Sequence, residues 1–205
     1  KSIDDTLEII RDIMSRPPDK VSIALAGGQA VILQGVERTT IDVDFCLYSD
    51  LIHAEGSPAF HAMVRKRLPE RFSSRLIQGS KFPDDPFKHD VIFIDDTKGE
   101  YVRIDLLIAL YKWELEGIRN AETVPGVSVP VLSKPYLAAM KLRASGFKDA
   151  GEVVGLFRLM TDEEKAKTRV LAKRIGRDRK LALLLNPPEE VRESEESLET
   201  QDELL

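Results

Sequence analysis

Val21-Ser22-Ile23-Ala24-Leu25-Ala26-Gly27-Gly28-Gln29-Ala30-Val31-Ile32-Leu33-Gln34-Gly35, followed after a short link by Thr40-Ile41-Asp42-Val43-Asp44-Phe45-Cys46-Leu47-Tyr48, decides how the rest of the chain is read. The first stretch is an apolar run through Ala26, two glycines, and a helical segment over 29–34 that stops at Gly35, which spells strand, tight turn, helix. A glycine turn ahead of a helix exposes backbone N–H groups and suits an anion, although two glycines in this position also serve as a plain turn. The second stretch alternates strictly. Ile41, Val43, Phe45 and Leu47 fall on one face, and Asp42, Asp44 and Cys46 on the other, as in a half-buried strand. Two carboxylates at i and i+2 lie about 6.5–7 Å apart along such a strand. Their repulsion is costly unless a cation sits between them or the strand edge is solvated. Oxygen donors alone favour Mg²⁺ or Mn²⁺ over Zn²⁺.

Working outward, residues 4–15 carry Leu7, Ile10 and Met14 on one helical stripe, with Asp4 or Asp5 as the expected N-cap and Pro17-Pro18 as the stop. Residues 58–68 fit a helix and 75–78 a short strand. Val91–Ile94 and Tyr101–Ala109 read as a hairpin around Asp95-Asp96-Thr97-Lys98-Gly99. The second arm again alternates, with Val102, Ile104, Leu106 and Ile108 inward and Arg103 and Asp105 outward. If that arm lies beside Asp42–Asp44, three carboxylates converge on one face, an arrangement suited to two metal ions. Residues 117–132 read as a loop with a short strand at Val127–Leu132. From Ser133 the pattern is helical: a helix over 135–145 closed by Gly146, a second with Val153, Leu156, Phe157 and Met160, and a third opened by the capping box Thr161/Glu164. The expected class is α/β (α+β), a mixed sheet flanked by helices and followed by a small helical part. The division is 1–132 core, 133–186 helical region and 187–205 acidic tail.

Of 205 residues, 42% are hydrophobic and 32% charged, enough to bury a core. One cysteine, Cys46, excludes an internal disulfide framework and fits a reducing compartment. No stretch is long and apolar enough to span a bilayer, and the acidic residues near the start do not resemble a signal peptide, so a cytoplasmic location without membrane attachment is expected. The net charge of −5 is unevenly placed. Residues 189–205 hold eight acids against Arg192, a net of −7, which leaves +2 for residues 1–188. Such a tail is solvated, or held by something outside itself.

Ala26-Gly27-Gly28-Gln29 followed by Gly35-x-x-Arg38-x-Thr40-x-Asp42-x-Asp44 resembles the signature of the DNA polymerase β-like nucleotidyltransferase superfamily. The Arg38-Thr39-Thr40 lead-in resembles its AbiEii/MenT-type toxin members in particular. Lys134–Ala144 is similar to a family helix that carries a lysine, and Phe147-Lys148-Asp149 to the Arg/Lys-Asp motif that follows it. The likeness runs through about residues 21–157. It implies the nucleotidyltransferase fold and transfer of a nucleotide from an NTP to a hydroxyl on RNA, protein or a small molecule of antibiotic type, with an antitoxin partner in the toxin case. A catalytically silent binding module of the same fold is the rival. By the resemblance, Asp42, Asp44 and Asp105 would hold Mg²⁺ or Mn²⁺, with Asp105 also helping to deprotonate the acceptor. Gly27 and Gly28 would cradle the triphosphate, with Gln29, Arg38 and Thr40 beside it. Lys141 would reach the phosphates, and Lys148 and Asp149 would stand behind. Gln29 replaces a common serine and Lys148 a common arginine, which removes a hydroxyl and a bidentate fork.

Arg38 either binds phosphate or anchors its loop, and Asp149 either supports the site or complements a helix dipole. Cys46 reads as a packed thiol, His53, His61 and His89 as loop or surface residues, and Trp113 and Tyr111 as core or as a cover for the site. The basic run Lys165–Lys180 reads as a solvated helix face or an RNA-tracking one. Deleting residues 189–205 is expected to leave the thermal midpoint nearly unchanged. A large fall, read by differential scanning fluorimetry, would mean that the acidic segment is docked.

Overall fold

The computed structural model describes residues 1–144 and 146–188, so most of the acidic tail lies outside the described residues. The architecture is α/β: a mixed five-stranded sheet flanked by helices, with a run of helices at its C-terminal end. In chain order the elements are α1 (Ile3–Ser15), β1 (Ser22–Ala26), α2 (Gly27–Leu33), β2 (Val43–Tyr48), α3 (Asp50–Glu55), α4 (Ser57–Arg67), β3 (Phe72–Ile77), β4 (Val91–Asp96) and β5 (Ile104–Ile108). The helices α5 (Lys112–Arg119), α6 (Lys134–Arg143), α7 (Phe147–Leu159), α8 (Asp162–Arg174) and α9 (Asp178–Leu185) follow.

The sheet order is β1-β2-β5-β4-β3. Only the central β2/β5 pair is parallel; the other neighbours are antiparallel. The alternation in the sequence becomes two faces. Val43, Phe45, Leu47, Ile92, Ile94, Ile104 and Leu106 are fully buried on one, in a core shared with Leu7 and Ile10 of α1 and Phe60 and Val64 of α4. Arg67 clamps these two helices by donating to the Ile13 carbonyl at 2.8 Å. The opposite face carries the acids. The same core continues into Leu137 and Leu142 of α6 and Val153 and Leu156 of α7. Among the described residues, no helix is long and apolar enough to cross a membrane.

Several local expectations are corrected. Ser2, not Asp4 or Asp5, caps α1: its hydroxyl accepts from Asp5 N–H, and the Asp5 carboxylate accepts from Ser2 N–H. β2 begins at Val43, so Ile41 is exposed in the preceding loop instead of facing inward. The 91–96 arm extends further than expected, while its partner runs only over 104–108. α3, capped by Ser49 and ended by Gly56 at φ +86°, and α5 are helices where none was expected. Gly117 obscures the α5 pattern but is needed there, because a Cβ would lie 2.9 Å from the Tyr136 ring. Val127–Leu132 forms no strand beyond bridges at Val131. Gly146, at φ −72°, caps the start of α7 and does not close α6, which ends in extended backbone at Ala144. Because Phe45 is completely enclosed, Phe45→Ala should cost about 3–5 kcal/mol in urea unfolding. A loss under about 1 kcal/mol would contradict this account of the core.

Candidate active site

Register builds the site. Ala26 of β1 pairs with Asp44 of β2, Asp44 with Asp105 of β5, and Asp105 with Phe93 of β4. One row across four strands therefore carries the glycine turn, two carboxylates and an aromatic ring on one face. Gly27 follows Ala26 at φ +57°, and any Cβ there would land on the Asp44 carboxylate. Gly28 has Thr40 Oγ1 at 2.8 Å and the Arg38 guanidinium carbon at 2.9 Å from where its Cβ would be. The glycine pair thus makes room for Asp44 on one side and for the Arg38–Thr40 loop on the other. Gln29 lies in the first turn of α2.

Asp42 sits just before β2 and joins the row through an arginine. Arg103, two residues ahead of Asp105 on the same face, donates from Nε to Asp105 Oδ1 at 2.7 Å and from Nη2 to Asp105 Oδ2 at 2.9 Å. Its Nη2 also reaches Asp42 Oδ2 at 3.2 Å. Its guanidinium lies 5.2 Å from the centre of the Phe93 ring. Burial pushes the Asp44 carboxyl up, and Asp105 and Asp42 push it further, while Lys141 and the Gly28 N–H pull the other way. Asp105 is also raised, chiefly by burial, against the pull of Arg103. This is a site with more negative charge than its surroundings accommodate, and a guanidinium stands where a cation relieves it. As arranged here, no three His, Cys, Asp or Glu side chains among the described residues are grouped to enclose a metal ion. The donor set, all carboxylate oxygen and short of positive charge, fits a hard divalent cation.

A second cluster lies behind the glycine turn. Lys141 of α6 stands 3.0 Å from Asp149 Oδ1 and 2.8 Å from Glu152 Oε2, both on α7. The Glu152 contact lies off hydrogen-bond alignment, so it acts through charge. The other oxygen of Glu152 pairs with Arg38. Burial lowers the Lys141 ammonium, but the carboxylates of Glu152 and Asp149 outweigh this and leave it raised. Lys141 is therefore tied into a largely buried ion-pair network with Asp149, Glu152 and Arg38. Arg38 also donates to the Thr39 carbonyl at 3.3 Å, and Asp149 also accepts from Gly146 N–H at the start of α7. Lys148 is exposed and, with Arg38, Thr39 and Glu152, lines a cleft of about 360 Å³.

The sequence reading passed over Arg103 as a site residue and missed Glu152. The placement of Arg103 at i−2 from Asp105 was a usable signal, since both must share a face. Glu152 lies one helical turn beyond Asp149, the spacing that lets both carboxylates meet one lysine. His89 is also more than a loop residue: its Nε2 is 2.6 Å from Oε1 of Glu114, which is buried. Cys46 and Trp113 are buried, as expected for packed side chains.

No family model matches the chain, and no curated protein matches it in sequence. Solved structures are similar to it at low identity. The solution structure of the antibiotic-resistance factor ANT(2'')-Ia matches with a TM-score of 0.40 and 15% identity, over 98% of this chain and 98% of that one. The crystal structure of ANT(2'')-Ia in complex with adenylyl-2''-tobramycin matches with a TM-score of 0.47 and 12% identity, over 83% and 99%.

Glu152 is a buried acid whose removal takes the carboxylate partner of Arg38 and one of the two partners of Lys141, so Glu152→Ala should destabilise the fold by about 3 kcal/mol. Chemical denaturation checks this. A change under about 1 kcal/mol would show that the network is not holding α6, α7 and the Arg38 loop together.

Proposed function

We propose that this chain is a metal-dependent nucleotidyltransferase of the DNA polymerase β-like superfamily, moving a nucleoside monophosphate from an NTP to a hydroxyl. The observation that supports this most is the pairing of Asp44 with Asp105 beside Gly27, with Asp42 joined to Asp105 through Arg103. Asp42, Asp44 and Asp105 would hold divalent ions, which would supply positive charge against the triphosphate. The triphosphate lies beside Gly27-Gly28, within reach of Lys141, Arg38 and Lys148. The acceptor oxygen bonds to the α-phosphorus as the bond from that phosphorus to the β-bridging oxygen breaks, and pyrophosphate departs. The hydroxyl proton passes to the Asp105 carboxylate. Burial raises the Asp105 carboxyl against the pull of Arg103, and a raised carboxylate is the stronger base. Most of the rate effect comes from placement and charge compensation.

The acceptor is decided by incubating the protein with each labelled NTP and Mg²⁺ and offering an aminoglycoside, total RNA or a protein extract. ANT(2'')-Ia is held with adenylyl-2''-tobramycin in its crystal structure, so the aminoglycoside arm comes first. Label in RNA or protein would favour the AbiEii/MenT-type reading and prompt a search for an antitoxin. No label in any arm, with Mg²⁺-NTP still bound, would favour a silent binding module.

Asp44→Asn is expected to abolish transfer without loss of fold. A carboxyl whose value is raised in the folded state favours folding below its ordinary range, and that contribution is lost as pH rises through the raised value. The variant should therefore melt no lower than wild type at neutral pH and lose any advantage in acid. Undiminished turnover in folded Asp44→Asn protein would overturn the metal assignment.

A further inference from the structure

The carboxylate row does not end the polar face of the sheet. Leu107 lies two residues beyond Asp105 on the same strand and face, about 6.5–7 Å away. It forms the floor of a cleft of about 330 Å³ between the sheet, α5 and α6. Trp113 from α5 and Met140 from α6, the neighbour of Lys141, form its walls, and Phe87 stands at its rim, 80% exposed. The polar groups are few and held in place. Arg143 lies 4.3 Å above the Tyr111 ring and donates to the Tyr111 hydroxyl at 3.0 Å. His89 is fixed by buried Glu114, whose other oxygen accepts from Leu110 N–H at 3.0 Å. A partly aromatic pocket with a few oriented donors and acceptors is the chemistry that selects a heteroaromatic ring.

We infer that this cleft holds the nucleobase of the donor NTP, an assignment that rests on the transfer reading above. Displacement at phosphorus is in line, so the attacking oxygen and the leaving pyrophosphate lie on opposite sides of the α-phosphorus. With phosphates on the Gly27-Gly28 and Lys141 side, that line runs across the strands and carries the acceptor toward Phe93. The nucleoside, attached through its 5′ oxygen, leaves this line sideways, and along the sheet face it can run toward either end of the strands. Toward their N-terminal ends stand Arg103 and Asp42. Toward their C-terminal ends stands the cleft, where Phe87 and Trp113 add aromatic walls.

Trp113 is the one tryptophan in the chain and lines this cleft, so tryptophan emission is a probe of its occupancy. The test titrates adenosine, guanosine, cytidine and uridine, each NTP, tripolyphosphate and tobramycin against the full chain, with calorimetry alongside. At least one nucleoside and its NTP should change Trp113 emission saturably, while tripolyphosphate binds by calorimetry without doing so. Phe87→Ser, at an exposed position, should weaken nucleoside binding about tenfold. Ala144→Phe, which fills the cleft from its rim, should weaken it at least as much and leave tripolyphosphate unaffected. NTP heats with unchanged Trp113 emission, or full NTP affinity in folded Ala144→Phe, would place the base elsewhere and leave the transfer reading standing. A tobramycin response without any nucleoside response would make this the acceptor pocket and overturn the assignment. Nucleoside quenching with no affinity for NTP or tripolyphosphate would overturn both the donor-base assignment and the transfer reading, leaving a nucleoside site alone.

Discussion

Two carboxylates placed opposite one another on neighbouring strands are the constraint around which this structure is arranged. β2 and β5 run parallel in a register that pairs Asp44 with Asp105, and adjacent strands lie only about 4.8 Å apart. Like charges so placed destabilise a sheet, and burial at Asp44 adds to the cost. The rest of the site responds to this. Arg103 bridges Asp105 to Asp42, Lys141 acts on Asp44 across the cleft, and Gly27 has no side chain where the Asp44 carboxylate must sit. A purely structural sheet has no reason to retain such a pair when apolar residues would pack in the same row.

The ion pairs behind the glycine turn connect this row to the helical half of the chain. Glu152 takes Arg38 from the loop before β2 and Lys141 from α6, so the loop that delivers Asp42 and the helix that carries Lys141 share one buried anchor. A ligand that draws Lys141 or Arg38 toward itself must compete with Glu152 and Asp149. Placement of the positive groups is thereby coupled to the packing of α6 on α7, and a phosphate-rich ligand acts on both at once.

Much of this was legible in the sequence because it rests on short periodicities. The i, i+2 spacing of Asp42 and Asp44 put them on one face, the alternation around Asp105 put it on another strand, and the α/β-then-helical order followed from the change in period. What could not be read was pairing. That β5 lies parallel to β2 is set by long-range packing, and only that pairing brings Asp105 beside Asp44. Arg103 was visible as an outward residue, but its partners belong to two different segments. The ion pairs of Lys141 could not be read because its counter-ions lie on the next helix. α3 and α5 escaped notice because one is six residues long and the other is broken in pattern by Gly117. The mistaken role for Gly146 shows that a glycine between two helices can start the second as readily as close the first.

The central claim, that the Asp42–Asp44–Asp105 row binds a divalent cation, is tested most directly by titrating Mn²⁺ into the protein and following free ion by electron paramagnetic resonance. Wild-type protein should take up Mn²⁺ saturably, with tighter binding when an NTP is present. Folded Asp44→Asn and Asp105→Asn proteins should each lose that uptake. Equal Mn²⁺ binding by wild type and both variants would show that the carboxylate row is not a metal site.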